Sequence, residues 1–224
     1  MSDSLSPLQH DALRQSNLTL ESIGYFLAGG TALSIGYLHH RFSEDLDFFC
    51  ASDRNAIQDA TLLASHLSQT GIEVEYLRRE PNLCRLKLTR MGESTLLDLV
   101  TQEGVSLRPH ESYESVPIAS LQDLAVNKVL ALNREEAKDF VDLYLILKTG
   151  PWSLGDLLEM AKVKSADFED DWALLEIAGL LANVHQIPHF SRLRLIKPIS
   201  KDEIATYFKQ ESDKLYESLR PSAD

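Results

Sequence analysis

The sequence predicts an α/β (α+β) chain, a mixed sheet with helices followed by a helical region, and three observations carry that prediction. Up to about residue 100, short apolar or alternating runs of strand length interleave with amphipathic stretches. Beyond about residue 120, apolar residues recur at helical spacing for most of the remaining chain. Between the two lies a stretch containing Glu, Ser and Pro, residues 103–117, which reads as a loop. The expected division is a sheet core over residues 1–115 and a helical C-terminal domain over residues 116–224.

The elements follow in order. After an opening helix, residues 25–28 form a short apolar run of strand length that ends at Gly29-Gly30. Residues 31–38 then resume at helical spacing through Leu33, Gly36 and Tyr37. Residues 45–50 are a strand candidate, and residues 54–69 an amphipathic helix with Ile57, Leu62, Leu63 and Leu67 on or near one face. Residues 72–77, 84–89 and 95–100 read as three further strands. Helices are expected at 121–133 and 135–148, where Leu124, Val129 and Leu132 and then Phe140, Leu143 and Leu147 recur at helical spacing. Gly150-Pro151 punctuates the region before three more helices at 154–163, 170–184 and 201–219.

Composition narrows the function classes. With 224 residues, 44% hydrophobic and 25% charged, the chain has the makings of folded cores, which excludes disorder and fibrous repeats. Twenty-two basic against 34 acidic residues give a formal charge of −12, which disfavours coating nucleic acid by bulk charge but leaves a local basic groove open. Cys50 and Cys84 read as buried apolar residues with reduced thiols. The polar opening stretch has no charged-then-apolar leader, and no apolar run approaches the roughly 18 residues of a membrane helix. A cytoplasmic location away from the membrane is expected.

Asp45 and Asp47 stand two apart in a strand pattern, so both carboxylates project from one face, about 6.6 Å apart along the backbone. Such a pair suits a hard divalent cation such as Mg²⁺, which takes one or two protein oxygens plus substrate phosphates. Two ions about 3.5–4 Å apart can clamp the attacking and leaving oxygens of an in-line displacement. Asp98 is the acidic residue inside the otherwise apolar run of residues 96–100, and burying a bare carboxylate is costly, so it is the candidate third ligand. Upstream, Gly29-Gly30-Thr31 lies where a strand turns into a helix. Backbone N–H groups there can hold a phosphate, and the Thr31 hydroxyl can cap the helix or donate to the ligand. The same residues also fit a solvated pair of aspartates with Asp98 in a structural salt bridge. Neighbouring His39 and His40 have no partner at zinc spacing.

Residues 29–33 (Gly-Gly-Thr-Ala-Leu) and 40–49 (His-Arg-Phe-Ser-Glu-Asp-Leu-Asp-Phe-Phe) together resemble the signature of the AbiEii/AbiGii-type toxin nucleotidyltransferases, within the DNA polymerase β-like superfamily. Lys128 to Arg134 followed by Lys138-Asp139, Asp142 and Tyr144 is similar to that family's helical motif. The resemblance implies a nucleotidyltransferase-type sheet core and Mg²⁺-dependent transfer, with one or two ions, of a nucleoside monophosphate from a nucleoside triphosphate to a hydroxyl. It implies Asp45, Asp47 and Asp98 as metal ligands, with Asp98 as general base. Gly29, Gly30 and Thr31 would hold triphosphate oxygens, and Lys128 would reach the phosphates. Asp139 and Asp142, on one side of a helix, would orient Lys128, Arg134 or the nucleotide, or else form a salt bridge between helices. Arg41 and Ser43 would contact phosphate, unless Arg41 pairs with Asp45 or Asp47. The resemblance further implies the toxin of a toxin–antitoxin or phage-defence system, with RNA, tRNA foremost, as acceptor and a cognate antitoxin as partner.

Charge distribution bears on the acceptor. Residues 78–90 hold five basic residues against one acid, residues 192–201 hold Arg192, Arg194, Lys197 and Lys201, and residues 167–176 hold five acids and no base. Alternation places Arg85 and Lys87 on one strand face, and if it adjoins Asp98 the basic stretch leads RNA to the metal site. Otherwise these are solvated surface patches. Transfer to a small hydroxylated molecule, as in antibiotic-modifying nucleotidyltransferases, and a catalytically silent nucleotide-binding module are the rival readings.

Overall fold

In the computed structural model, which describes residues 4–50, 54–101 and 106–220, the first helix begins where Ser6 can cap it. Ser6 and Gln9 satisfy each other's backbone N–H groups in a capping box, and Pro7 takes the first helical position, where no N–H is needed. This helix, α1 (Pro7–Leu20), buries Leu8, Ala12, Leu13 and Leu20. The chain separates into two compact units, Met1–Leu121 and Gln122–Asp224.

The first unit is built on a seven-stranded sheet in the order β3-β4-β5-β2-β1-β7-β6. Its strands are β1 (Phe26–Leu27), β2 (Asp45–Cys50), β3 (Glu73–Glu80), β4 (Leu83–Arg90), β5 (Glu93–Thr101), β6 (Glu111–Tyr113) and β7 (Val116–Ile118). β2 runs parallel to β5 and antiparallel to β1, while β3, β4 and β5 form an antiparallel meander. The β4–β5 turn is the two residues Met91 and Gly92, at φ 51° and 84°, the left-handed pair that suits a tight hairpin. Helices α2 (Gly29–Leu33) and α3 (Ala56–Gln69) complete the unit, α3 being capped by the Asn55 side chain.

Strand alternation sorts this unit into a core face and a working face. Leu46, Phe48 and Cys50 of β2, Cys84, Leu86 and Leu88 of β4, and Leu97 and Leu99 of β5 are all buried on the face that α1 and α3 cover. Full burial of each leucine or phenylalanine among them is worth about 1.5–3 kcal/mol. A one-residue slip would move the whole apolar set to the other face, so the core fixes the register. Asp45 and Asp47, Arg85 and Lys87, and Asp98 therefore lie on the opposite face.

Three local expectations change. The stretch read as a loop contributes the hairpin β6–β7, with β7 parallel to β1 through Leu27 and Ile118. Residues 103–105 of that stretch lie outside the described residues. The helix expected at 31–38 starts at Gly29 and passes into a π-helical turn over Ser34–Leu38. The strand expected to stop at residue 77 runs to Glu80, with an irregular register between Tyr76 and Arg78.

The second unit contains α4 (Leu121–Leu130), α5 (Ala137–Thr149), α6 (Leu154–Lys164), α7 (Asp171–Ala182) and α8 (Lys201–Ser218). Its core gathers Leu124, Val129, Phe140, Leu143, Leu157, Leu181, Ile204 and Phe208. Phe140 meets Phe208 edge to face at 5.9 Å, and Tyr144 meets Tyr207 in the same manner at 5.2 Å. α7 packs on α8, where the buried Ser212 hydroxyl donates to the Ala178 carbonyl. The acidic run 167–176 includes the start of α7, whose exposed Trp172 donates to Glu176. Among the described residues, no helix is long and apolar enough to cross a membrane.

Candidate active site

β2 places the two aspartates and the glycine turn brings the backbone to them. Asp45 and Asp47 are half-buried on the working face, and the Ala28 N–H donates to the Asp47 carbonyl at 2.8 Å. Gly29 follows at φ 64°, a left-handed conformation that disfavours a side chain. A β-carbon there would lie 2.1 Å from Asp47 Oδ2, so the backbone approaches this carboxylate as closely as only glycine allows. At Gly30, a β-carbon would lie 2.2 Å from Arg41 Nη2 and 3.4 Å from Ser43 Oγ. The expected constellation is thus brought together: Gly29 against Asp47, and Gly30 against Arg41 and Ser43.

Several buried groups hold this cluster from behind. The Ser34 hydroxyl donates to the Arg41 carbonyl at 2.5 Å, and Gln9 Nε2 donates to the Ser43 carbonyl at 2.8 Å. Arg41, 4% exposed, also donates from Nη1 to the Phe42 carbonyl at 3.1 Å. The Thr31 hydroxyl is fully buried and donates to the Asp45 carbonyl. Of the two roles open to it, capping is not the one it takes, because α2 has Ala28 at its N-cap and no side-chain cap bond. Thr31 instead ties the start of α2 to the start of β2.

Asp98 sits on β5 in direct register with Asp47 on β2 and with Arg85 on β4. Arg85 grips it with both arms, Nε to Oδ1 at 2.8 Å and Nη2 to Oδ2 at 2.6 Å, so the salt bridge among the sequence alternatives is present. The hydrogen bonds to Asp98, followed by the charges of Asp98, Asp45 and Asp47, hold the Arg85 guanidinium above its ordinary pKa despite an opposing effect of burial. One arginine thus feels all three carboxylates.

These donors fit an Mg²⁺ carried by a triphosphate. All are hard oxygens, Asp45 and Asp47 share a face, and such an ion needs few protein ligands beside phosphate oxygens. Among the described residues, no three His, Cys, Asp or Glu side chains converge as a ready-made metal cage. Engagement of both Asp98 oxygens by Arg85 accords with that.

The second unit carries the remaining candidates. Lys128 of α4 lies between two aspartates of α5, with Nζ 2.6 Å from Asp139 Oδ1 and 2.7 Å from Asp142 Oδ2. All three residues are buried, so Lys128 is not a solvated surface lysine. Spacing of three on α5 brings both carboxylates to one side of the helix, as expected. Asp139 Oδ2 is buried without a hydrogen-bond partner.

The basic run 78–90 is largely neutralised within the chain. Arg78 pairs with Glu80 at 2.7 Å, Arg90 with Asp11 at 2.5 Å and Arg85 with Asp98, while Arg79 stacks over the Tyr76 ring at 4.6 Å. In the second run, Lys201 donates to the Ile187 carbonyl at 3.0 Å. Sequence reasoning missed the supports: the Gln9 bond to Ser43 joins residues 34 apart, and the Ser34 bond to Arg41 depends on how the chain turns between α2 and β2. It singled out Arg85 but not its grip on Asp98, which depends on the β4–β5 register.

Similarity to known proteins agrees with this geometry. Residues 11–221 match the family described as "Nucleotidyl transferase AbiEii toxin, Type IV TA system". A candidate nucleotidyltransferase from H. pylori superposes with a TM-score of 0.61 at 20% identity, covering 96% of this chain and 97% of that one. JHP933 from Helicobacter pylori superposes with a TM-score of 0.60 at 18% identity, covering 94% and 91%. An uncharacterized protein of Aquifex aeolicus (strain VF5), aq_aa25, is 28% identical over 153 residues, 62% of this chain and 66% of that protein, just under two thirds of its length. The mixed sheet presents a D-x-D pair beside a glycine turn, on a fold shared with these structures. The chain belongs to the AbiEii nucleotidyltransferase toxin family.

Proposed function

We propose that this nucleotidyltransferase moves a nucleoside monophosphate from a nucleoside triphosphate to an RNA hydroxyl, tRNA foremost, with Mg²⁺ as its ion, and that it does so as the toxin partner of a cognate antitoxin. The observation that carries the reading is the row of acidic side chains on one sheet face, Asp45 and Asp47 on β2 with Asp98 beside Asp47 on β5, with the Gly29 backbone against Asp47.

Asp45 and Asp47 would hold the ion, one or two in number, and Asp98 would complete the ligand set. The bound ion supplies positive charge to the reacting phosphate. The Gly29–Gly30 backbone would cradle phosphate oxygens, with Arg41 and Ser43 close by Gly30, while Thr31 acts by fixing α2 to β2. Asp98 would accept the proton of the attacking hydroxyl: the new bond joins that oxygen to the α-phosphorus, and the bond to the β-phosphate oxygen breaks to release pyrophosphate. Lys128, oriented by Asp139 and Asp142, would neutralise charge on the leaving phosphates. Division of labour between a sheet core and a helical domain is part of the same proposal. Most of the catalysis is positioning and charge stabilisation.

An RNA acceptor is supported by the β4 face, where Arg85 and Lys87 adjoin Asp98. A small hydroxylated acceptor is the second reading, favoured by the commitment of Arg78, Arg85 and Arg90 to carboxylates. The test is to incubate the full chain with each α-labelled nucleoside triphosphate, Mg²⁺ and either total tRNA or hydroxylated antibiotics. Label in tRNA is expected; label only in the small molecules would transfer the proposal to the second reading.

A further inference from the structure

We propose that Arg85 is the resident counter-ion of the acidic cluster, holding Asp98 when no divalent cation is bound and yielding it when one arrives, so that Arg85 sets the cluster's cation affinity. The proposal rests on the reading of Asp45, Asp47 and Asp98 as a metal site. Its warrant is the juxtaposition of Arg85, Asp98 and Asp47 in one row across β4, β5 and β2.

Three carboxylates on one sheet face repel one another, and Asp98, with a side chain 9% exposed, cannot rely on water for its charge. The fork of Arg85 meets both Asp98 oxygens, a geometry that the single ammonium of lysine does not reproduce. The two partners differ in exposure: the Arg85 side chain is 44% exposed. Its guanidinium can leave the carboxylate for water at small cost, whereas Asp98 cannot follow. A divalent cation with Asp45 and Asp47 therefore competes with Arg85 for Asp98 and is repelled by its charge. Arg85 acts through Asp98 and is a positioning residue.

Mn²⁺ binding to the full chain without nucleotide, followed by electron paramagnetic resonance, tests this. Arg85→Gln is expected to bind Mn²⁺ about tenfold more tightly than the natural chain, the size expected for one charge removed at close range. In EDTA the same variant is expected to melt roughly 3 °C lower, a loss that Mn²⁺ reverses. Arg85→Lys, which keeps the charge but not the fork, should fall between the two in affinity. Transfer activity should fall in Arg85→Gln while Mn²⁺ affinity rises, a divergence that loss of a purely structural contact would not produce. Unchanged or weaker Mn²⁺ binding by Arg85→Gln overturns the proposal. If that variant folds only with Mn²⁺ present, the proposal is supported; if it does not fold at all, Arg85→Lys decides alone, with equal or weaker binding overturning it. Asp45→Asn/Asp47→Asn separates the two levels: Mn²⁺ binding that survives in it defeats the metal-site reading itself, whatever Arg85 does.

Discussion

Two cation–carboxylate clusters, one in each unit, use the same ingredients to opposite effect. In the sheet unit, Asp98 is gripped by an arginine whose side chain is 44% exposed. In the helical unit, Lys128 is 9% exposed between Asp139 and Asp142 at 3% and 0%. An exposed guanidinium can yield its carboxylate to another cation, while an ammonium buried together with its two carboxylates stays with them. The difference teaches that the first cluster is built for exchange and the second for permanence.

Breaking the permanent cluster should have the largest effect on stability. Lys128→Ala leaves two buried carboxylates uncompensated and is expected to cost about 3–5 kcal/mol in urea unfolding. Asp45→Asn/Asp47→Asn should instead abolish transfer while changing unfolding free energy by less than about 1 kcal/mol, since half-buried side chains on the face opposite the apolar core contribute little to it. A loss as large as that of Lys128→Ala would erase the contrast. Gly29→Ala, which brings a β-carbon against Asp47 at a left-handed φ, should cost about 1–3 kcal/mol and reduce transfer with it.

The smallest expected effect concerns pH. Burial, then the hydrogen bond to Glu203, pushes the Tyr144 phenol up to about 12. The unfolded chain loses this proton near its ordinary value of about 10 while the folded chain keeps it. The contribution to stability is therefore complete below pH 10 and disappears between about pH 10 and pH 12. Tyr144→Phe should make that part of the stability profile less steep, measured by urea unfolding at stepped alkaline pH.

The candidate site of the sheet unit was legible where its chemistry is local. Gly29-Gly30 and Asp45–Asp47 lie within one turn and one strand, so period 2 alone sets both carboxylates on a face. Asp98 drew notice because a lone charge in an apolar strand requires a partner. That its partner is Arg85 depends on the register of β4 and β5, set by the Met91-Gly92 turn, which lacks the Asn-Gly or Asp-Gly signature of such hairpins. β6 and β7, three residues each and with Pro117 inside, exist through pairing with each other and with β1, which no local window contains. The spacing of Asp139 and Asp142 was readable on a helix, but the burial of Lys128 between them belongs to packing within the second unit.

The most direct measurement is the fate of an α-labelled nucleoside triphosphate incubated with Mg²⁺ and total tRNA, using the natural chain and Asp45→Asn/Asp47→Asn in parallel. Label is expected in the RNA, with an equal amount of pyrophosphate released, for the natural chain alone. Equal labelling by both proteins would contradict transfer through the Asp45–Asp47 pair.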